Sequence, residues 1–214
     1  MSARLYIVAG CNGAGKTTAS FSLLPEILDC EVFINADEIA RELNPENVER
    51  VAFEAGRMML EQINERIRNG ETFAFETTLA ARSYKETILL AQAMGYHVTL
   101  IFFWLSSPEM AIARVKKRVE EGGHHIETEV IRRRYTRGLQ NLFSIYLPLA
   151  NETLIFDSTT VDILQIAYAT GEKLIEVFNW LRSRNIKIAC CANAIRKSVY
   201  GMLCRAGLIE FFDY

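Results

Sequence analysis

The chain has 214 residues, half of them hydrophobic and 23% charged, with a formal net charge of −2. That length suits one α/β domain with a sizeable core, and the balanced charge gives no global electrostatic reason to expect nucleic acid or an anionic membrane as a partner. No run of about 18 uncharged apolar residues occurs and the N-terminus goes straight into a strand pattern, so the expectation is a cytoplasmic protein with neither a membrane helix nor a signal peptide.

The first β-forming run, Leu5–Ala9, meets Gly10-Cys11-Asn12-Gly13-Ala14-Gly15-Lys16-Thr17-Thr18. This fits G-x-x-x-x-G-K-[ST] at every fixed position, with a strand before it and a helix after it. Glycines let the backbone turn tightly and aim several N–H groups inward. Those donors and the positive end of the following helix suit a nucleotide phosphate. Lys16 is expected between the β- and γ-phosphates, and Thr17 on Mg²⁺. The alternative is a glycine-rich turn that binds nothing. No N-K-x-D element follows to specify guanine, so the expected nucleotide is ATP.

The second strand, Val32–Asn35, runs into Ala36-Asp37-Glu38-Ile39. A carboxylate at the end of a strand near the glycine loop lies where such sheets bind ligands. Asp37 is therefore either a general base for a substrate hydroxyl or the N-cap of the helix that follows. Glu46–Asn69 is the clearest helical pattern, with Val51, Ala55, Met59, Ile63 and Ile67 on one face. The third strand, Thr72–Glu76, delivers Glu76, Thr77 and Thr78 to the same edge. Glu76 has three readings there: a Mg²⁺ contact through water, a grip on substrate hydroxyls, or a plain strand end.

Gly70 and Gly95 each end a helical pattern before a strand. The run Val98–Leu105 is apolar enough for a strand buried on both faces. Eight of the 24 basic residues fall in the next window, at Arg114, Lys116, Lys117, Arg118, Arg132, Arg133, Arg134 and Arg137. They flank Gly122-Gly123-His124-His125. Helix, pliable loop and helix with arginines suit a lid over phosphates, about residues 114–137; the alternative is a solvated face with Glu–Arg pairs. A helix over Glu127–Ala150 carries a core stripe, and Leu154–Asp157 makes the fifth strand.

Strands alternating with helices imply an α/β, doubly wound, mainly parallel five-stranded sheet with helices on both faces. Residues 1–184 form this domain, and 185–214 read as a packed, helical C-terminal appendage. The cysteines Cys11, Cys30, Cys190, Cys191 and Cys204 have no metal-like spacing and are expected as free thiols.

The ordered set GCNGAGKTT, INADEIARELNPE, FAFETTLAARSY, WLSSPEMAIARVKKRVEEGGHHI, IRRRY and NLFSIYLPL resembles the zeta toxin family of P-loop kinases, over about Ile7 to Asp157. The resemblance implies ATP- and Mg²⁺-dependent phosphorylation of a small molecule, in that family the nucleotide sugar UDP-N-acetylglucosamine. It also implies an antitoxin-type protein partner where a member acts as a toxin. By it, Asp37 matches the catalytic base, Lys16 the phosphate-binding lysine, Arg118 the first lid arginine, and Glu76 and Thr78 substrate-side positions. The family's second lid arginine is absent before Thr128, which leaves His124, Arg132 or Arg134 for that charge, with Arg114 also in the lid. An arginine expected after the third-strand motif is replaced near Ala80, with Arg82 two residues on. An ATP-hydrolysing switch without an acceptor would share the glycine loop but has little need of Asp37. Polynucleotide end modification would want base-stacking aromatics among the arginines, and these are missing.

Overall fold

A computed structural model describes residues 2–20, 30–160 and 163–170. The expected appendage, with Cys190, Cys191 and Cys204, lies outside the described residues. The strands are β1 (Arg4–Gly10), β2 (Phe33–Ile34), β3 (Phe73–Thr77), β4 (His97–Trp104), β5 (Glu152–Asp157) and β6 (Leu164–Thr170). They form one sheet in the order β2-β3-β1-β4-β5-β6. All pairings are parallel except β5 with β6, which is antiparallel. The doubly wound parallel sheet stands as expected, with one strand more than five. The extra strand lies at the sheet edge with Leu164, Gln165 and Tyr168 exposed, and Gln165 interrupts the continuous apolar run that marks a strand buried on both faces.

The helices are α1 (described over 16–20), α2 (Ala36–Leu43), α3 (Val48–Asn69), α4 (Tyr84–Ala93), α5 (Pro108–Glu120), α6 (Thr128–Asn141) and α7 (Leu147–Leu149). Local chemistry sets their ends. Asn47 caps α3 by accepting from the Arg50 N–H, and Gly70 ends it in the left-handed region at φ 70°. Ser107 caps α5 by accepting from the Met110 N–H, with Pro108 in the first turn. Among the described residues no helix is long and apolar enough to cross a membrane.

Alternation along β1 divides the core. Leu5, Ile7 and Ala9 face one layer with Met59, Ile63 and Ile67 of α3 and Ile88 of α4. Tyr6 and Val8 face the other, with Ala111 and Val115 of α5 and Ile131 of α6. Each fully buried leucine, isoleucine, valine or methionine side chain among them contributes about 1.5–3 kcal/mol. The helix predicted over Glu127–Ala150 is real but interrupted: its α-helical part ends at Asn141, and Leu142–Tyr146 form a π-helical turn before α7. Ile131 belongs to one core layer, while Leu142 and Tyr146 belong to the other. Helix α6 and the π-helical turn that continues it therefore pass from one core layer to the other, with Gly138 against the Thr78 carbonyl just beyond β3.

Candidate active site

The site is built where β1 and β3 end side by side, with Ala9 paired to Thr77. The glycine loop leaves β1 with Gly10 at φ 146°, Gly13 at φ 80° and Gly15 at φ 78°. A Cβ on Gly10 would stand 2.4 Å from the Phe103 carbonyl oxygen, so this backbone approach to β4 admits no side chain. Lys16 opens α1 only 5% exposed; its Nζ donates to the Cys11 carbonyl at 3.0 Å and lies 3.4 Å from Glu76 Oε1. Glu76, at the end of β3, also accepts from Thr17 Oγ1 at 2.7 Å and from Asn35 Nδ2 at 3.2 Å. One carboxylate thus joins the glycine loop, α1 and the end of β2. Burial pushes the Cys11 thiol up, with Lys16 and Arg114 opposing it; Cys11 and Cys30 are free thiols, as expected.

Asn35, not Asp37, is the N-cap of α2: its Oδ1 accepts the Asp37 N–H at 2.8 Å. The structural alternative for Asp37 is thereby removed. Among the described residues its half-buried carboxylate accepts no hydrogen bond, and its charge acts on Arg134.

The basic window divides. Arg134, on the inner side of α6, donates to Asn12 Oδ1 of the glycine loop at 3.3 Å. Burial pulls its guanidinium below the ordinary value and Asp37 pulls the other way, but arginine stays charged at neutral pH. Arg114 braces the loop from outside, donating to the carbonyls of Thr159 (3.0 Å) and Gly13 (3.5 Å). Arg118 donates through Nη2 to the His124 carbonyl, while its buried Nε has no partner. Arg132 does not join them: it is exposed and pairs with Glu109 and Glu129 on the outer face. His124 contributes its carbonyl to Arg118, and His125 pairs with Glu127 in solvent. Arg82 is exposed and lines an open groove of about 590 Å³ with Lys85, Glu86 and Ser144, none of which belongs to the phosphate cradle. Thr18 is exposed on α1.

Several residues of the site escaped the sequence reading. Ser158 after β5 donates to the Ala14 carbonyl at 2.8 Å. Asn35 would have been legible as a cap two residues before Asp37. After β3 the backbone turns through Leu79 at φ 55°, the one positive-φ residue other than glycine among the described residues, and fully buried. A left-handed leucine costs roughly 1–2 kcal/mol and persists only where surroundings hold it.

Hard oxygens side by side, the Thr17 hydroxyl and the Glu76 carboxylate, fit a Mg²⁺ that keeps most of its water. With the loop amides and Lys16 they gather, where β1 and β3 end, the kinds of groups that suit a nucleotide phosphate.

Comparison with known proteins agrees with this architecture. A family model described as an AAA domain matches residues 5–142. A Haemophilus influenzae protein, itself uncharacterised, is 29% identical over 135 residues, which is 63% of this chain and 94% of that protein. A chain from the PezAT chromosomal toxin-antitoxin system of Streptococcus pneumoniae shares the fold, at TM-score 0.64 and 21% identity, over 99% of this chain and 88% of that one. So does a chain of the AvrRxo1-ORF1:-ORF2 structure with ATP, at TM-score 0.65 and 15% identity, over 96% of this chain and 71% of that one. The resemblance read from the motifs is matched at the level of fold.

Proposed function

We propose, from the premise that this chain belongs to the AAA domain family, that it is a P-loop kinase moving the γ-phosphoryl group of ATP to a hydroxyl of a small molecule. The observation that carries this reading is Asp37: a carboxylate relieved of capping by Asn35, without a hydrogen-bond partner among the described residues, beside a phosphate cradle. A switch that only hydrolyses nucleotide has little need of it there.

In this reading the loop amides and Lys16 hold the phosphates, and Lys16 exchanges its contacts with Glu76 and the Cys11 carbonyl for phosphate oxygens. Asp37 takes the proton of the acceptor hydroxyl as its oxygen bonds to the γ-phosphorus; the bond to the bridging oxygen breaks and ADP leaves. Arg134 sits to balance charge on the moving group, and Arg118 joins it from the lid if its buried Nε turns inward. Thr17 and, through water, Glu76 would hold Mg²⁺, which supplies charge neutralisation across the β- and γ-phosphates. Glu76→Gln keeps the hydrogen bonds but removes the charge. Charge-assisted bonds contribute about 1.5–3 kcal/mol, so the Mg²⁺ concentration for half-maximal activity should rise about tenfold or more. An unchanged Mg²⁺ titration would remove Glu76 from that role.

The motif resemblance, with the shared fold of the PezAT chain, supports a nucleotide sugar such as UDP-N-acetylglucosamine as acceptor and an antitoxin-type protein as partner. The test is incubation with γ-labelled ATP, Mg²⁺ and a cell metabolite extract, with UDP-N-acetylglucosamine as a separate arm. The expected result is label on a small organic molecule. Label recovered only as inorganic phosphate would replace the kinase by a nucleotide-hydrolysing switch.

A further inference from the structure

We propose that Asn141 is a positioning residue for the acceptor side of the site: with Gly138, it locks the buried turn at Leu79 and so fixes Glu76 and Thr78 relative to Lys16 and Asp37. The proposal rests on the kinase reading and extends it to a helix face with no assigned role.

Residues 134, 138 and 141 are spaced four and three apart, which puts them on one face of α6. Together they meet two strand-end loops, the glycine loop after β1 and the turn after β3. Arg134 reaches Asn12 of the phosphate cradle. Gly138 lies so close to the acceptor-side turn that a Cβ there would stand 2.6 Å from the Thr78 carbonyl oxygen. Asn141, 3% exposed, donates through Nδ2 to the Leu79 carbonyl at 2.7 Å.

The turn is held from other sides as well. Thr77 Oγ1 accepts from the Leu79 N–H at 3.1 Å, and the Tyr146 hydroxyl donates to the Ala81 carbonyl. The π-helical turn begins directly after Asn141, so the α-helical register is kept up to this contact and abandoned beyond it. Such turns are frequent at functional sites. Leucine does not hold φ 55° by preference; the contacts from α6 hold it there. Because one rigid helix carries both Arg134 and Asn141, the phosphate side and the acceptor side are set by a single body.

The experiment uses the full chain, ADP as the nucleotide probe, and γ-labelled ATP with Mg²⁺ and a metabolite extract for transfer. Asn141→Ala should keep ADP affinity within about twofold while transfer efficiency falls about 10- to 100-fold, the scale of a misplacement near 1 Å. Amide exchange over residues 77–81 should quicken at the same time. Asn141→Leu keeps the size and loses the donor without burying a charge, so it should match the alanine variant; a residue that only filled space would tolerate it. Gly138→Ala should give the same pattern by pushing on the Thr78 carbonyl, and decides the matter with Asn141→Leu if Asn141→Ala does not fold.

Variants that transfer at the wild-type rate overturn the positioning role alone. So does a loss of ADP affinity in parallel with transfer, or loss of the fold in all three. A wild-type chain that labels no small molecule overturns the kinase reading, and this proposal with it.

Discussion

Asp37→Asn is expected to lower phosphoryl transfer by about 10²–10⁴-fold, the usual contribution of a positioned general base, while ADP affinity stays within about twofold. The carboxamide keeps the shape of the side chain but cannot take a proton. The local fold does not depend on the charge, because Asn35 caps α2 and the Asp37 backbone N–H, not its side chain, makes the cap bond. The stability cost includes the attraction of a first-turn carboxylate for the helix N-terminus, about 0.3–1 kcal/mol, together with its attraction for Arg134. Transfer rate, ADP affinity and Tm measured on one preparation separate these effects. Turnover retained in the variant would sink the base assignment.

Lys16→Ala should fail at an earlier step. Lys16 is the cation inside the cradle, buried and already held by the Cys11 carbonyl and Glu76. Without it the triphosphate loses a charge-assisted partner worth about 1.5–3 kcal/mol, so ADP affinity should fall about 10- to 100-fold. Transfer at saturating ATP should fall by a further 10²–10³-fold, since the same ammonium meets charge that develops in the transition state. Glu76 keeps Thr17 and Asn35 as donors, so the fold should survive. Isothermal titration with ADP alongside a saturated transfer assay distinguishes the two losses. Equal ADP binding in variant and wild type would mean that the glycine loop does not grip phosphate through this lysine.

The two variants also divide the two functional classes. A nucleotide-hydrolysing switch predicts that Lys16→Ala is damaging and Asp37→Asn silent. A kinase predicts that both are damaging at different steps.

The basic window shows why composition and position alone mislead. Arg132 and Arg134 are two residues apart and indistinguishable as sequence. On a helix, two residues is a rotation of about 200°, so one meets Asn12 and the other meets Glu109 in solvent. The periodicity needed to tell them apart was present in the core stripe of Ile131 and Leu139. What was absent was the knowledge of which loop lay opposite. Arg114 teaches the same point: assigned to the lid, it braces the Gly13 and Thr159 carbonyls from behind the cradle.

By itself the sequence determined five of the six strands, several helix ends and the glycine loop, because these are local. Alternation, cap residues and glycines that must take positive φ act over a few positions, and chain neighbours supply most of the physics. Tertiary structure alone decided the rest. It tied Glu76 to Lys16 and Thr17 from a strand about 60 positions away. It also brought Asn141 onto Leu79 across 62 positions. Those contacts follow from strand order and from the path of α6 over the sheet edge, and neither is encoded by the spacing of any one motif.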